Sequence, residues 1–132
     1  MSGYQVSVRD LGEYSYEISN GRHVVMTGWH PEQGKFLATE LFLAGLGACM
    51  LATMMYSASV MGMNLAGATV RIEADSATKP DRMTNIRVIY TIPPGLSDAQ
   101  KASLIRAGNR CKVHNTIENH PAFDVSIEDG RV

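Results

Sequence analysis

The chain has 132 residues, is 45% apolar and carries a formal net charge of −1. That length predicts one domain, residues 1–132, with a core large enough to fold without covalent links. The near-zero net charge provides no basic field, so we expect no nucleic-acid partner. The opening MSGYQVSVRD lacks the basic and apolar regions of an export signal, and the two cysteines are therefore expected to be reduced thiols of a cytoplasmic protein.

Three segments near the N-terminus alternate apolar and polar residues, which is the pattern of strands with one buried face. They span residues 4–9, 14–19 and 23–29, and we expect them to form an antiparallel meander. Asn20-Gly21 predicts a two-residue hairpin turn, because both residues tolerate a positive φ. Residues 30–37 contain proline and glycine without periodicity and are predicted to form a loop.

An uncharged stretch, residues 41–70, holds most of the predicted central helix, residues 39–63. Apolar or small side chains occupy every face of this helix, which is typical of a helix buried on all sides. Thr39 is a suitable N-cap, and Cys49 lies in the first half. The length would also suffice to cross a bilayer, but Gly, Ser, Thr and Asn dilute its hydropathy. We therefore favour the core helix of a soluble protein and expect no membrane partner.

The second half of the chain predicts a hairpin followed by a helix. Residues 68–74 and 84–92 alternate as strands on either side of a polar, proline-containing loop. Ser97 and Gln100 form the sequence pattern of a capping box, which indicates the start of a second helix. Cys111 follows the helical spacing of the apolar positions and is predicted to lie on the buried face, close to the helix end.

The last part of the chain predicts two short elements. Residues 113–119 are expected to add a short helical turn, and residues 123–128 alternate as a final strand. The resulting order, βββ-α-ββ-α-β, indicates an α+β fold with antiparallel or mixed sheets and two helices.

The two cysteines allow three interpretations from the residues alone. Free cysteine often fills cores as a small hydrophobe, and spacing by itself favours this interpretation. A redox pair is the second: one thiolate reacts with an oxidant to a sulfenic acid, and the other thiol resolves it as a disulfide. A metal site of Cys49, Cys111, His114 and another histidine is the third, but no CxxC or HxxxH pair supports it. We expect neither a metal nor a cofactor.

Two motifs carry a resemblance to a known family. The segment ELFLAGLGAC, ending at Cys49, and the segment CKVHNT, beginning at Cys111, are similar to the E-L-x-x-A-A-x-G-x-C and C-P-V-x-N-T-L patterns of the OsmC/Ohr family. These are the osmotically inducible protein C and organic hydroperoxide resistance proteins. The resemblance implies an OsmC-like fold, in which two long helices are buried between the sheets of an intertwined homodimer.

The resemblance also implies a function. It assigns Cys49 as the peroxidatic thiol and Cys111 as the resolving thiol of an enzyme that reduces organic hydroperoxides, with an external dithiol as reductant. Peroxidase members support the thiolate with an N-terminal Arg and a Glu just before the first cysteine helix. Arg22 and Glu40 come closest to these positions here, although Thr39 stands where the Glu is expected.

The departures from the family pattern favour the less characterised OsmC-like branch and keep two alternatives open. Lys112 replaces the usual proline after Cys111. The first alternative is a dimer without peroxidase activity that binds a small apolar ligand at the subunit interface. The second is a structural dimer whose cysteines only fill the core.

Overall fold

The computed structural model describes residues 3–130, within which three helices and six strands form an α+β fold, as predicted. Their order along the chain is ββββ-α-ββ-α-α. The chain divides into two compact units. The first comprises the chain up to residue 45 together with residues 72–87, and the second comprises residues 46–71 together with the chain from residue 88 onward.

The first unit contains a four-stranded sheet in the order β1-β2-β3-β4. Strands β1 (Ser7–Gly12), β2 (Ser15–Ser19) and β3 (Val24–Gly28) pair antiparallel and confirm the predicted meander. The two-residue strand β4 (Phe36–Leu37) pairs parallel with β3. It lies at the end of residues 30–37, so the prediction of an entirely irregular segment there is wrong at its last two residues.

The Asn20-Gly21 connection is longer than predicted. Because Ser19 pairs with Val24, four residues join β2 to β3, and the prediction of a two-residue turn is wrong. The Asn20 side chain organises this loop: its Oδ1 accepts the N–H groups of Arg22 and His23, each at 2.9 Å. Asparagine favours such turns because its side chain can take the place of a backbone acceptor.

The central helix α1 runs from Ala38 to Val60, so both predicted ends, at residues 39 and 63, are shifted. Thr39 lies inside the helix and is not its N-cap. The first turn is closed by Glu40, whose Oε1 accepts the Leu37 N–H at 2.7 Å. This is half of a capping box, and it places a negative charge at the positive end of the helix.

Burial of α1 is confined to one stripe in the described chain. Leu46, Gly47, Met50, Met54 and Ala58 are buried, whereas Tyr56 on another face is 73% exposed. The prediction of burial on every face is therefore wrong for the single described chain. By length and composition α1 could cross a membrane, but the core helix of a soluble protein meets the same criteria.

Strands β5 (Thr69–Ala77) and β6 (Arg82–Thr91) form a two-stranded sheet and are longer than predicted. The polar residues assigned to the loop continue the strands because charged side chains pair between them. Arg87 of β6 lies 3.3 Å from Glu73 and 3.2 Å from Asp75, both on β5. Cross-strand pairs of opposite charge stabilise neighbouring strands modestly.

The second unit contains helices α2 (Asp98–Gly108) and α3 (Lys112–Glu118). The predicted capping box of α2 is confirmed, since the Gln100 N–H donates to Ser97 Oγ at 3.1 Å and the Ser97 N–H donates to Gln100 Oε1 at 2.8 Å. The short helical turn predicted for residues 113–119 is helix α3. Cys111 is buried, as predicted, but it lies after α2 and is the N-cap of α3.

The predicted final strand, residues 123–128, is not a strand in the described chain. Phe123, Val125 and Ile127 alternate as a strand requires, but they are 88%, 88% and 96% exposed. A strand depends on a neighbour that takes its N–H and C=O groups, and no described strand pairs with this segment. The alternation alone was therefore not sufficient to predict a strand.

Candidate thiol site

The second unit brings Cys49 and Cys111 together. Cys49 is on α1, and Cys111 stands between α2 and α3. Cys49 packs against the buried cluster of Leu46, Met50 and Cys111. Both cysteines are free thiols, and each influences the pKa of the other. Two cysteines far apart in sequence thus lie in the same cluster.

The two thiols differ in their access to solvent. Cys49 is partly exposed, whereas Cys111 is only 2% exposed and is among the most buried side chains of the described chain. A reagent that arrives from solvent therefore meets Cys49 first. Cys111 is placed to react with a group already attached to Cys49.

Backbone N–H groups in the first turn of α3 influence both cysteines. The opening N–H groups of a helix have no carbonyl partner within it. In α3, the His114 N–H donates to Cys111 Sγ at 3.2 Å, and the N–H groups of Lys112 and Val113 lie close enough to Cys49 to lower its pKa. The loop between the helices therefore holds the thiol pair through backbone groups.

These donors lower the pKa of Cys49. Burial acts in the opposite direction and is the largest single influence, but the combined hydrogen bonds from Val113, Cys111, Lys112 and Thr53 outweigh it. Hydrogen bonds to the charged form of a group stabilise that form. The Thr53 hydroxyl also donates to the Cys49 carbonyl oxygen at 2.8 Å. Because that hydroxyl has a single proton, we regard the backbone N–H groups as the principal cause.

The pKa of Cys111 shifts the other way. Burial raises it, the His114 N–H lowers it, and the neighbouring Cys49 raises it further. The shared site therefore favours ionisation of Cys49 over that of Cys111. The pair is chemically asymmetric: one sulfur is an accessible nucleophile, and the other is a buried thiol held beside it.

Arg22 and Glu40 lie in the first unit, and the structure gives each a local environment there. Glu40 caps α1 through the Leu37 N–H. Arg22 lies in the exposed loop between β2 and β3, and its N–H donates to Asn20 Oδ1. The described groups that influence the pKa of either cysteine all belong to the second unit.

We did not predict from the sequence that the backbone N–H groups of Lys112 and Val113 would lower the pKa of Cys49. A signal for one of them was present, because a lysine stands where proline was the expected residue. Proline has no N–H to donate, so any other residue at position 112 adds a donor beside Cys49. Nothing in the sequence indicates that the Val113 N–H influences Cys49.

The spacing of Cys111 and His114 has a structural explanation that involves no metal. It is the spacing between an N-cap and the third residue of a helix, and the His114 N–H uses it to reach Cys111 Sγ. The Nε2 atom of His114 lies 3.8 Å from Glu118, one turn further along α3. Within residues 3–130, no three His, Cys, Asp or Glu side chains gather as a metal site.

A cavity of about 550 Å³ lies in the same unit, against α2 and the end of β6. Met50, the residue after Cys49, forms part of its wall. The lining is mainly apolar and includes one basic side chain, that of Lys101. The residues that line it are Met50, Met54, Val88, Ile89, Tyr90, Thr91, Ile92, Lys101, Leu104, Ile105 and Asn109.

The Lys112→Pro variant tests the role of the backbone N–H. We expect it to raise the pKa of Cys49 and to slow alkylation of that thiol at pH 7 by about tenfold or more, since a hydrogen bond to a charged group contributes about 1.5–3 kcal/mol. The backbone should tolerate the change: proline suits the first helical position, and Cys111 already has the extended conformation (φ −69°, ψ 152°) that precedes proline. Iodoacetamide rates measured against pH give the result.

The matched control is Lys112→Ala, which removes the ammonium group but retains the N–H. It should alkylate like the unmodified protein. If both variants alkylate as fast as the unmodified protein, this N–H does not have the assigned role. If both are slowed equally, the effect comes from the lysine side chain instead.

Comparison with known proteins identifies relatives of this fold. Residues 31–126 match the OsmC family, described as OsmC-like protein. An OsmC-like protein from Mycoplasma pneumoniae is similar, with 19% identity and a TM-score of 0.81 over 90% of this chain and 89% of that one. No curated protein gave a significant sequence match.

Two further solved structures have names that refer to hydroperoxides. The organic hydroperoxide resistance protein OsmC from Legionella pneumophila shares 20% identity, with a TM-score of 0.64 over 89% of this chain and 91% of that one. OhrB of Bacillus subtilis, an organic hydroperoxide resistance protein, shares 14% identity, with a TM-score of 0.64 over 90% and 93% of the two chains. At such identities, the likeness establishes a common fold.

Proposed function

The chain belongs to the family of OsmC-like proteins, and on that premise we propose that it is a thiol-dependent peroxidase that reduces organic hydroperoxides. The observation that carries the proposal is the asymmetric pair of cysteines. An accessible thiol with a lowered pKa lies in contact with a buried thiol whose pKa is raised. A peroxidase with a resolving cysteine needs this combination.

The proposed reaction has three steps. The Cys49 thiolate attacks the terminal oxygen of the hydroperoxide, the O–O bond breaks, and the alkoxide leaves as the alcohol after it takes up a proton. Cys49 is then a sulfenic acid. The Cys111 thiol attacks its sulfur, which forms the disulfide and releases water. An external dithiol reduces the disulfide and is itself oxidised, and both protein thiols return.

The preference for organic peroxides is supported by the surroundings of Cys49. Met50 belongs both to the cluster around the thiols and to the wall of the apolar cavity. An alkyl or aryl group gains free energy from contact with such surfaces, whereas hydrogen peroxide has no apolar group to bury. Two structurally similar proteins are named for resistance to organic hydroperoxides.

Arg22 and Glu40 remain proposed supporting residues, because another copy of the chain could bring them to the thiols. We propose a homodimer whose partner covers the apolar faces that α1 leaves exposed, including Phe42, Tyr56 and Val60. Exposed apolar surface of this kind typically marks an interface. We propose that the exposed apolar side chains of residues 123–128 contact the partner as well.

Membership of the OsmC-like family also supports proposals about the cellular location and the domain organisation of the protein. The OsmC-like fold is soluble, with α1 as its apolar core helix. We propose that the protein is cytoplasmic, where dithiol reductants keep cysteines reduced. We further propose that the two compact units belong to one OsmC-like domain spanning residues 1–132.

The test is stopped-flow oxidation of the reduced protein by cumene hydroperoxide and by hydrogen peroxide, with the products identified by mass spectrometry. We expect rapid loss of both thiols, faster with the organic peroxide, and a single Cys49–Cys111 disulfide. Oxidation no faster than that of a free cysteine would refute the peroxidase.

A ligand-binding protein is the second candidate, and the cavity is the observation that favours it. A volume of about 550 Å³ with a mainly apolar lining is typical of small-molecule sites. On this alternative the dimer binds a small apolar molecule without using its thiols. Native mass spectrometry would then show a retained ligand, and a Cys49→Ser variant would bind it as well as the unmodified chain.

A further inference from the structure

The hydroxyl group of Tyr90 has no hydrogen-bond partner. Tyr90 is on β6, in the part of the strand that belongs to the second unit. Its oxygen is buried, and no hydrogen bond reaches it from any described residue. Burial of an unsatisfied hydroxyl is unfavourable, and native proteins rarely leave such a group without a role. The three reaction steps proposed above give the Tyr90 hydroxyl no role.

The surroundings of this hydroxyl point towards Cys111. The Tyr90 ring packs against the cluster that contains Met50 and Cys111. A Cβ atom at Gly108, the last residue of α2, would collide with the Tyr90 oxygen. The carbonyl of Gly108 in turn accepts the Cys111 N–H at 3.2 Å. The hydroxyl therefore lies against the turn that carries Cys111, and only glycine leaves room for it there.

The charge on Cys111 affects Tyr90 directly. Burial raises the pKa of Tyr90, and the negative charge of a Cys111 thiolate raises it further. Both influences stabilise the protonated form of Tyr90. A protonated hydroxyl beside a forming thiolate can only act as a donor, and donation to the charged form favours that form.

We propose that the Tyr90 hydroxyl donates a hydrogen bond to the Cys111 sulfur when that sulfur becomes negative during the resolving step. The inference rests on the function proposed above. In this step the Cys111 S–H bond breaks and the S–S bond to Cys49 forms. The S–O bond of the sulfenic acid breaks, and its hydroxyl leaves as water with the Cys111 proton. Tyr90 keeps its own proton throughout.

A further donor would favour the charged form of Cys111, because a buried thiol resists ionisation. The described groups around Cys111 are Cys49 from α1, Tyr90 from β6, and the N–H groups of Val113 and His114 from α3. Among the donors, the His114 N–H already bonds to Cys111 Sγ in the reduced protein. The Tyr90 hydroxyl is the donor still available when charge develops.

The first experiment isolates Cys111 from any peroxide chemistry. In a Cys49→Ser protein with ¹³C-labelled cysteine, the Cβ chemical shift of Cys111 is followed against pH, with and without Tyr90→Phe. We expect the titration midpoint to move to higher pH in the Phe variant, because the thiolate has lost a donor. An unchanged midpoint would overturn the inference, whether or not the protein is a peroxidase.

The second experiment separates the two chemical steps in the intact thiol pair. After rapid mixing with cumene hydroperoxide, samples are quenched with a sulfenic-acid trap and analysed by mass. Tyr90→Phe should leave sulfenic acid formation unchanged and slow disulfide formation by about tenfold, the effect of one hydrogen bond to a charged group. Equal slowing of both steps, or of neither, would contradict the assignment.

Gly108→Ala provides an independent displacement of the hydroxyl. Its methyl group should push the Tyr90 oxygen away, so it should slow the same step, and the double variant should be no slower than the more affected single variant. Additive losses would show that the two residues act separately. Tyr90→Phe should not lower the Tm, since it removes an unsatisfied group. A lowered Tm with both steps impaired would assign Tyr90 a structural role instead.

Discussion

Replacement of Cys49 with serine is expected to abolish peroxide-dependent turnover. The sulfur of Cys49 is the accessible nucleophile of the pair, and its pKa is lowered by N–H groups that would find only a neutral hydroxyl in the variant. A serine hydroxyl does not ionise at neutral pH and cannot be oxidised to a sulfenic acid. Loss of the nucleophile should reduce the rate by about a thousandfold or more.

The measurement is consumption of a dithiol in the presence of cumene hydroperoxide, monitored together with release of the alcohol. Serine is close in size to cysteine, and circular dichroism before and after the change should show an intact fold. Alcohol release near the original rate from a folded Cys49→Ser protein would mean that Cys49 is not the peroxidatic thiol. Cys111 would then be the only remaining thiol to examine.

The Cys111→Ser variant has the second large expected effect. Unlike Cys49→Ser, it should still react with the peroxide once. Each chain should release one equivalent of alcohol at close to the normal rate and then stall, because Cys49 becomes a sulfenic acid with no thiol to resolve it. In the unmodified protein the same reaction should end in a disulfide. Mass spectra distinguish the products: the variant gains one oxygen atom, and the unmodified chain loses two hydrogens.

This variant should fold well for a structural reason. Cys111 is the N-cap of α3, and its Sγ accepts the His114 N–H at 3.2 Å. Serine is among the best N-cap residues, so its oxygen can take over that hydrogen bond. Failure to form a sulfenic acid in a folded Cys111→Ser protein would contradict the assignment of Cys49. Continued turnover at the normal rate, in contrast, would show that Cys111 is not needed for resolution.

The asymmetry of the pair also bears on how the disulfide is reduced. In thiol–disulfide exchange, the sulfur with the lower thiol pKa is the better leaving group. Cys49 has the lowered pKa and Cys111 the raised one. Attack by the external dithiol at Cys111 is therefore favoured electronically, whereas the exposed position of Cys49 favours attack there. The choice of reductant depends on which of these factors is larger.

Elements set by short-range interactions could be predicted from the sequence. The Ser97/Gln100 capping box joins residues three positions apart, and both of its hydrogen bonds are present. The three N-terminal strands follow their alternation of apolar and polar residues. The two cysteine motifs identified the family, which the match over residues 31–126 bears out. Each of these features depends on neighbouring residues or on a pattern that survives sequence divergence.

Elements that depend on a distant partner were predicted less well. Residues 123–128 alternate like a strand but have no paired neighbour in the described chain. Residues 75–77 are polar like a loop, yet the Arg87 side chain pairs across the sheet and helps extend the strand. The apolar faces of α1 predicted burial on every side, but the single chain covers only one stripe. In each case, the neighbour that decides the outcome is absent from the local sequence.

The sequence by itself determined the α+β class, the family and the two cysteines on which the proposed chemistry depends. Only the tertiary structure decided that the two cysteines share one cluster, that Cys49 is partly exposed while Cys111 is buried, and that backbone N–H groups of α3 lower the pKa of Cys49. The physical reason is that every residue except proline has the same N–H group, so the sequence cannot show which of them donates to a sulfur. That depends on how α1 and the turn before α3 pack together, which also brought the Tyr90 hydroxyl to Cys111.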